Sequence, residues 1–450
     1  MLTSLTSLRK TTCLLLLLLI LPALLFAQQV SEKKEIAVFK LGYYRWDIPN
    51  QVLGNIDEEI KGVFINIGRF DVMGMNQRLE EGDLNEFIAK LKELKETQVE
   101  IPAEVQMGRE FFTEADLNRL IGSFVVVIPS VSNYILEELD NGDYEATIKT
   151  SFTFYNVEEA RTFAQFSVET SAQYESADKA VGQAINSIPL QLTYEIRKVP
   201  EFQLKTGILE VQGAEVFLEF GRDMGIKLGD EYVLISTQIL QSGKSFSSER
   251  GLLVVKEVSE EVSRAQVLYA RDGLQVGDQL QEVPRLGFDT SPYVRLALGA
   301  GKDGKALPVV GFRQSVLRGF YGFRPMVGLE VPFIRNIFWG IPLNFYVGGE
   351  YDIYLGRLQV IPMAGFGMGG AYLWYLEDGD EEDDEFILSH LGGMANLTAT
   401  YLVTRDIKLT AEAGYMHWFS LDPTSLFFDS SLLFKSYYGL FIGAGLSIKY

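Results

Sequence analysis

Apolar side chains alternate with polar or very small ones, with a period of two, through residues 285–450. Leu409 and Ala411, for example, alternate with Lys408 and Thr410. Such alternation is typical of strands that have one face against an apolar medium and the other against a polar interior. Eight strands are predicted, near 293–300, 309–317, 322–333, 341–353, 358–375, 386–402, 407–419 and 437–450.

The connections between these strands alternate in length. Those after the second, fourth and sixth strands are short, whereas most of the others are longer, especially 376–385 and 420–436. Leu358–Leu376 and Phe386–Thr404 are each long enough for a membrane helix, but Pro362, many glycines and the alternation favour strands. We therefore predict an eight-stranded antiparallel transmembrane β-barrel over 285–450, of the outer-membrane type, since short and long connections alternate in such barrels.

Ionisable side chains recur on the polar face of these strands. An eight-stranded barrel leaves an interior that side chains can fill. A buried ionic network in the lumen would exclude a diffusion pore, although positions at the barrel rims are equally consistent with the pattern. The candidates for this network are Arg295, Arg313, Arg324, Glu330, Glu350 and Glu412.

The last strand alternates up to an aromatic terminus. This pattern resembles the C-terminal signal by which the barrel-assembly machinery recognises its clients, and the alternative is an ordinary edge strand. The resemblance implies that this machinery and outer-membrane lipid are partners of the chain. Its residues are Leu440, Ile442, Leu446, Ile448 and Tyr450, with Ala444 between them.

Residues 30–200 show a different order: a strand, a helix, a strand, further helices, a strand meander and a closing helix. The runs Ile36–Phe39, Gly68–Val72 and Gly122–Val127, with the helix around Asp178–Val181, carry a resemblance. They resemble the periplasmic α/β domain shared by the curli-secretion channel family, the Tol-system propeller protein and flagellar assembly protein T. The resemblance implies a periplasmic α/β (α+β) domain, which in the curli family builds an export conduit.

Residues 201–284 alternate in short runs and predict a small all-β domain. The turn Gly225–Asp230 is echoed by Gly273–Asp278, and each precedes a strand. The arrangement is similar to the SH3-like barrel of flagellar assembly protein T. We interpret both Gly-Asp turns as structural, because neither has the spacing or the basic cluster of a phosphate loop.

Composition fits this division of a 450-residue chain. The net charge is −20, which argues against nucleic-acid binding, yet hydrophobic residues make up 47%. In residues 1–27, Arg9 and Lys10 precede an apolar run that ends at Ala27, which predicts a secretory signal peptide, with a retained anchor as the alternative. The single cysteine, Cys13, lies in this segment, so we expect a cysteine-free mature protein.

Candidate chemistry is sparse, and neither a catalytic site nor a cofactor or metal site is predicted. Alternation directs His390 inward and His417 outward, so the two should not converge, although Ser389, Ser420 and Asp422 lie near them in sequence. The acidic run Glu377–Glu385 is interpreted as a solvated loop in preference to a cation site. Three tryptophans fit interfacial girdles. They are Trp339, Trp374 and Trp418.

These observations predict a non-enzymatic outer-membrane protein. Its barrel would anchor periplasmic domains that bind a protein partner, which the sequence does not identify, in envelope or appendage assembly. One alternative is a homo-oligomeric export or secretion component. Another is a surface adhesin or outer-membrane hydrolase that uses the outer loops.

Overall fold

The computed structural model describes residues 31–43, 48–79, 83–97, 103–107, 110–300, 304–333, 340–373, 385–421 and 436–450. The predicted signal peptide lies outside these residues, as do Trp339, Trp374 and nearly all of the acidic run. No helix in the described part of the chain is long and apolar enough to span a membrane.

The first unit, called the α/β unit, is a mixed sheet with helices on both faces. Strand β1 is parallel to β3 and β6, and β6, β7 and β8 form an antiparallel meander in the order β3-β1-β6-β7-β8. The sequence predicted one closing helix, but a second helix begins at Ile188, directly after Ser187, with Pro189 in its first turn. The elements are β1 (Lys34–Lys40), β2 (Gly42–Tyr43), α1 (Asn50–Asn66), β3 (Phe70–Arg78), α2 (Leu84–Thr97), β4 (Glu104–Met107), β5 (Glu110–Thr113), α3 (Glu114–Gly122), β6 (Val125–Glu138), β7 (Tyr144–Asn156), β8 (Arg161–Tyr174), α4 (Ala177–Asn186) and α5 (Ile188–Lys198).

The second unit, called the small barrel, is a closed six-stranded barrel in the order β10-β13-β12-β11-β14-β9. Alternate residues such as Tyr232, Leu234 and Leu253 fill its core, because successive side chains of a strand point to opposite faces. Its strands are β9 (Lys205–Gln212), β10 (Glu215–Leu218), β11 (Glu231–Ile239), β12 (Ser245–Val258), β13 (Ser263–Ala270) and β14 (Gln279–Val283).

The third unit, called the large barrel, is antiparallel throughout and closes where its first strand pairs with its last. The short strand β19 continues β18 after a break at Asp352, so eight strands close the barrel and the eight-strand prediction is confirmed. Its strands are β15 (Phe288–Leu298), β16 (Leu307–Val316), β17 (Phe323–Pro332), β18 (Gly340–Tyr351), β19 (Ile353–Leu355), β20 (Leu358–Leu373), β21 (Glu385–Leu402), β22 (Ile407–Ser420) and β23 (Tyr437–Lys449).

The outer wall of the large barrel is apolar and exposed. Val294, Phe312, Val327, Leu397 and Leu409 are among the side chains that point outward, each between inward-pointing neighbours. A water-soluble fold would bury such a continuous apolar surface. The wall is instead suited to a hydrocarbon surrounding, in which a closed sheet leaves no backbone group unpaired at an edge.

Candidate functional site

The six charged residues singled out from the sequence all point into the large barrel and are buried. Arg295 contacts both Glu330 and Glu412. Arg313 lies 3.7 Å from Glu350 and 3.6 Å from Glu412. Arg324 completes the set with a 2.5 Å ion pair to Glu350, so the structure joins all six in one network.

Further polar residues that the sequence analysis did not single out extend this network. Asp289 pairs with Lys408 at 2.7 Å, and Asp352 pairs with Arg324 at 2.8 Å. The predicted strand did not include Asp289, because β15 begins at Phe288, about five residues earlier than predicted. The inward alternation of β15, traced back from Arg295, would have revealed it.

Two tyrosines bind the middle of the network. The hydroxyl of Tyr293 donates to Glu330 at 2.7 Å and lies 2.8 Å from the hydroxyl of Tyr346. The Cβ of an alanine at Gly311 or Gly328 would collide with these rings. The small residues on the inner wall therefore make room for large side chains that fill the lumen.

Farther from the soluble units, the lumen is mostly apolar, with Asn344 and His390 among its buried polar side chains. Its buried cluster includes Ala297, Leu307, Met416, Trp418 and Phe441. The sequence analysis placed Trp418 in an interfacial girdle, which is wrong, because β22 directs this side chain inward and buries it. An ionic layer and an apolar layer thus fill the interior one above the other.

The proposed assembly-signal residues lie on the outer wall. Leu440, Ile442, Leu446, Ile448 and Tyr450 are all exposed, and the Tyr450 hydroxyl accepts hydrogen bonds from Thr290 and Gln314. Their strand closes the barrel against β15. Recognition of this strand by assembly machinery remains a prediction.

The three short connections of the large barrel all contact the small barrel, and we call this end the docked mouth. The Gly319 amide donates to the Leu228 carbonyl at 2.7 Å, and the Arg357 guanidinium lies 3.7 Å from the Tyr269 ring centroid. Arg405 pairs with Glu249. Leu402 joins an apolar cluster of the small barrel with Val233, Leu252, Val254, Leu268 and Val283.

Asp230 joins all three units. One of its carboxylate oxygens lies 3.1 Å from Arg197 of α5 and 2.9 Å from Arg318 of the connection after β16. The turn that carries Asp230 fits closely between its neighbours. A Cβ at Gly225 would lie 1.7 Å from the Ile67 carbonyl oxygen, and one at Gly229 would lie 2.3 Å from that of Leu317.

Glu282 is the second buried link between the α/β unit and the small barrel. It pairs with Arg69 and Arg197, each at 2.5 Å. Burial alone would raise the pKa of Glu282, but the two guanidiniums hold its pKa well below the usual range. Burial would also lower the pKa of Arg197, which Glu282 and Asp230 raise instead.

Glu231 links the small barrel to the last strand of the large barrel. It pairs with Lys449 at 2.5 Å and with Arg285 at 2.7 Å. Burial opposes ionisation, but these two cations keep the pKa of Glu231 below its ordinary value. Arg285 also donates to the backbone carbonyls of Lys449 and Arg405, so one side chain links β23 to the connection between β21 and β22 at the docked mouth.

The two histidines lie on opposite faces of the wall. His390 is buried inside, 2.7 Å from the Ser389 hydroxyl, whereas His417 stacks outside on Phe419 at 3.8 Å between centroids. The two imidazoles therefore do not share a site, as the alternation predicts. Within the described ranges, three or more potential ligands do not gather where they could hold a metal ion.

The α/β unit carries an open cleft of about 870 Å³ beside the start of β1. Lys34 lies on its wall, 4.4 Å from the centroid of the Phe124 ring, and donates to the Glu201 carbonyl. Burial lowers the pKa of Lys34. The cleft mixes cations and carboxylates, among them Lys33, Lys95, Lys205, Glu35 and Glu158.

The chain matches no protein-family model, and no curated protein matches it. Among solved structures, Neisserial surface protein A is 16% identical over 36% of this chain and 97% of that chain, with a TM-score of 0.27. A PelC dodecamer from Paraburkholderia phytofirmans is 12% identical over 36% and 90%, at 0.21. The outer membrane channel DcaP of Acinetobacter baumannii is 8% identical over 68% and 83%, at 0.17. At these scores the similarities bear on neither activity nor partner.

Proposed function

We propose that the chain is a non-enzymatic outer-membrane protein, whose large barrel anchors the α/β unit and the small barrel on the periplasmic side. There the α/β unit would bind a protein partner in envelope or appendage assembly. The observation that supports this most is the docked mouth. All three short connections hold the small barrel, and buried ion pairs at Asp230 and Glu282 hold the α/β unit to it.

A filled lumen supports an anchor in preference to a passage. Arg295 is enclosed by two carboxylates and two aromatic rings, and the apolar cluster around Trp418 lies beyond it. In the described part of the barrel, such an interior is filled by side chains, as the lumen of an eight-stranded barrel can be. The fixed geometry of the soluble units is what a presenting scaffold needs.

Photocrosslinking in intact envelopes tests this proposal. A photoreactive residue would replace Lys33 in the cleft, and matched probes would replace Glu145 on β7 and Leu440 on the outer wall. We expect a discrete protein adduct from at least one α/β position and lipid alone from Leu440. If neither α/β probe yields an adduct, the scaffold proposal fails, and ring-shaped oligomers in detergent would support an export conduit instead.

A further inference from the structure

One hairpin of the small barrel extends beyond the barrel itself. Strand β11 pairs with β14 only over Glu231–Leu234, and β12 pairs with β13 only from Gly251 onward. Residues 235–249, called the hairpin arm, therefore pair only with each other among the described strands. The hairpin arm adds no strand pairing to the closed barrel, so the fold of the small barrel does not explain why β11 and β12 are this long.

The base of the arm lies against the docked mouth. Ile235 packs on the apolar cluster that contains Leu402, and its register partner Glu249 pairs with Arg405. Residues opposite each other in register share a face. This face of the arm therefore lies toward the connection between β21 and β22 of the large barrel.

Three large apolar side chains are exposed near the tip of the arm, on either side of the polar turn 241–245. The exposed fractions of Ile239, Leu240 and Phe246 are 72%, 46% and 55%. Ile239 lies on the same face as Ile235, whereas Phe246 lies on the other. Ile239 lies four residues beyond Ile235 along β11, which places the tip about 13 Å from the base.

The charge of the arm also distinguishes it. Between Ile235 and Glu249 the single ionisable side chain is Lys244, although the whole chain holds 60 acidic residues. An apolar tip with a cation beside it is a pattern that binds the interface of an anionic bilayer. Carboxylates at the same place would oppose such binding.

We propose that the tip of the hairpin arm inserts into the membrane leaflet that faces the soluble units, as a second membrane contact beside the large barrel. Ile239, Leu240 and Phe246 would enter the region between headgroups and acyl chains, with Lys244 at the lipid phosphates. This contact rests on the proposed outer-membrane placement of the large barrel.

Single nitroxide labels test the insertion, since the chain without residues 1–27 has no native cysteine. Ile239→Cys and Phe246→Cys report on the tip. Ile442→Cys reports on the outer wall of the large barrel, and Leu136→Cys is a matched exposed apolar residue on β6. Leu136 lies eleven residues beyond Val125, or about 36 Å along a strand that leads away from the Arg69–Glu282 contact.

The labelled chain without residues 1–27 would be reconstituted in vesicles of phosphatidylethanolamine and phosphatidylglycerol. Collisions with oxygen and with a water-soluble nickel complex would then be measured for each label. We expect the ratio of oxygen to nickel collisions at 239 and 246 to exceed that at 136 several-fold and to approach that at 442. Lys244→Glu should lower the ratio at 246 in these vesicles.

Three other outcomes would contradict either the insertion of the tip or the placement of the large barrel. If 442 lies in lipid while 239 and 246 lie in water, the barrel placement stands and the insertion is wrong. If 442 lies in water as well, the proposed outer-membrane placement itself fails. If the labels at 239 and 246 are equally immobilised in lipid-free detergent, the tip is covered by protein and the lipid contact is wrong.

Discussion

Asp230 and Asp278 occupy the same place in two copies of one turn. Each carboxylate accepts a hydrogen bond of 2.9 Å from the backbone amide three residues earlier. Beyond that shared contact their surroundings differ. Asp230 is buried between Arg197 and Arg318, whereas Asp278 is partly exposed, 3.6 Å from Arg250.

We predict that Asp230→Asn destabilises the soluble units far more than Asp278→Asn does. Both changes keep the size of the side chain, but only the first leaves two guanidiniums short of a buried partner. The expected loss of unfolding free energy is about 3 kcal/mol for Asp230→Asn and below about 1 kcal/mol for Asp278→Asn. Denaturant midpoints followed by circular dichroism, with the large barrel folded in detergent, measure both. Equal losses would contradict the role given to Asp230.

The lowered pKa values of Glu282 and Glu231 predict that the folded protein loses stability in acid. Their pKa values are lower in the folded protein than the ordinary 4.5, so their stabilisation is complete above that pH and is lost as the pH falls. For Glu282 the expected loss of unfolding free energy is about 1.4 kcal/mol per pH unit below about 4.5, and Glu231 contributes in the same direction. Glu282→Gln should reduce this slope between pH 4.5 and pH 3, whereas the exposed-site change Glu261→Gln should not. An unchanged slope in Glu282→Gln would refute the assignment.

At the scale of elements, strands and turns have different structural roles. Period-two strands build the wall, and the short connections after β16, β19 and β21 build the docked mouth. The turn Gly225–Asp230 fits because glycine has no Cβ and adopts positive φ, +75° at Gly225 and +78° at Gly229. The echo turn has the same glycines, but around Gly273 and Gly277 there is open space.

We expect Gly229→Ala to loosen the docked mouth and Gly277→Ala to leave it intact. Both substitutions carry the same cost, about 1–2 kcal/mol, for alanine at positive φ. Only the first also places a Cβ within 2.6 Å of two carbonyl oxygens, those of Leu317 and Phe320. Hydrogen exchange at 317–320 should therefore accelerate in Gly229→Ala alone. Equal rates of hydrogen exchange at 317–320 in the two variants would show that close packing around Gly229 does not hold the connection after β16.

At the scale of the whole molecule, one polar network extends from the α/β unit into the large barrel. Arg69, Glu282 and Arg197 lead to Asp230 and Arg318, and Glu231 reaches Lys449 at the barrel end. Buried ion pairs of this kind oppose rotation of one unit against another. Such a rotation would leave a charged side chain without its partner in an interface that excludes water. The three units are thus held as one body.

We predict that the full chain is electrically silent in planar bilayers. Removal of residues 31–284 should also give no steady conductance, because side chains fill the lumen independently of the small barrel. Single-channel recording at matched insertion levels measures both, with a heat-dependent gel shift to verify that each barrel is folded. Conductance in the truncated chain alone would mean that the small barrel is the block. Conductance in both would contradict a filled lumen.

The sequence alone determined the number of strands and, at most positions, the side that faces inward, because side-chain alternation is a local property of an extended backbone. Trp418 and the start of β15 are the exceptions. The sequence therefore singled out Arg295, Glu330 and their four companions. It did not distinguish Asp230 from Asp278, since the two turns are locally alike. Glu282 meets Arg69 across 213 residues, and no local pattern encodes such a distance. Only tertiary packing decided which charges are buried together, because their desolvation depends on three units that meet in space.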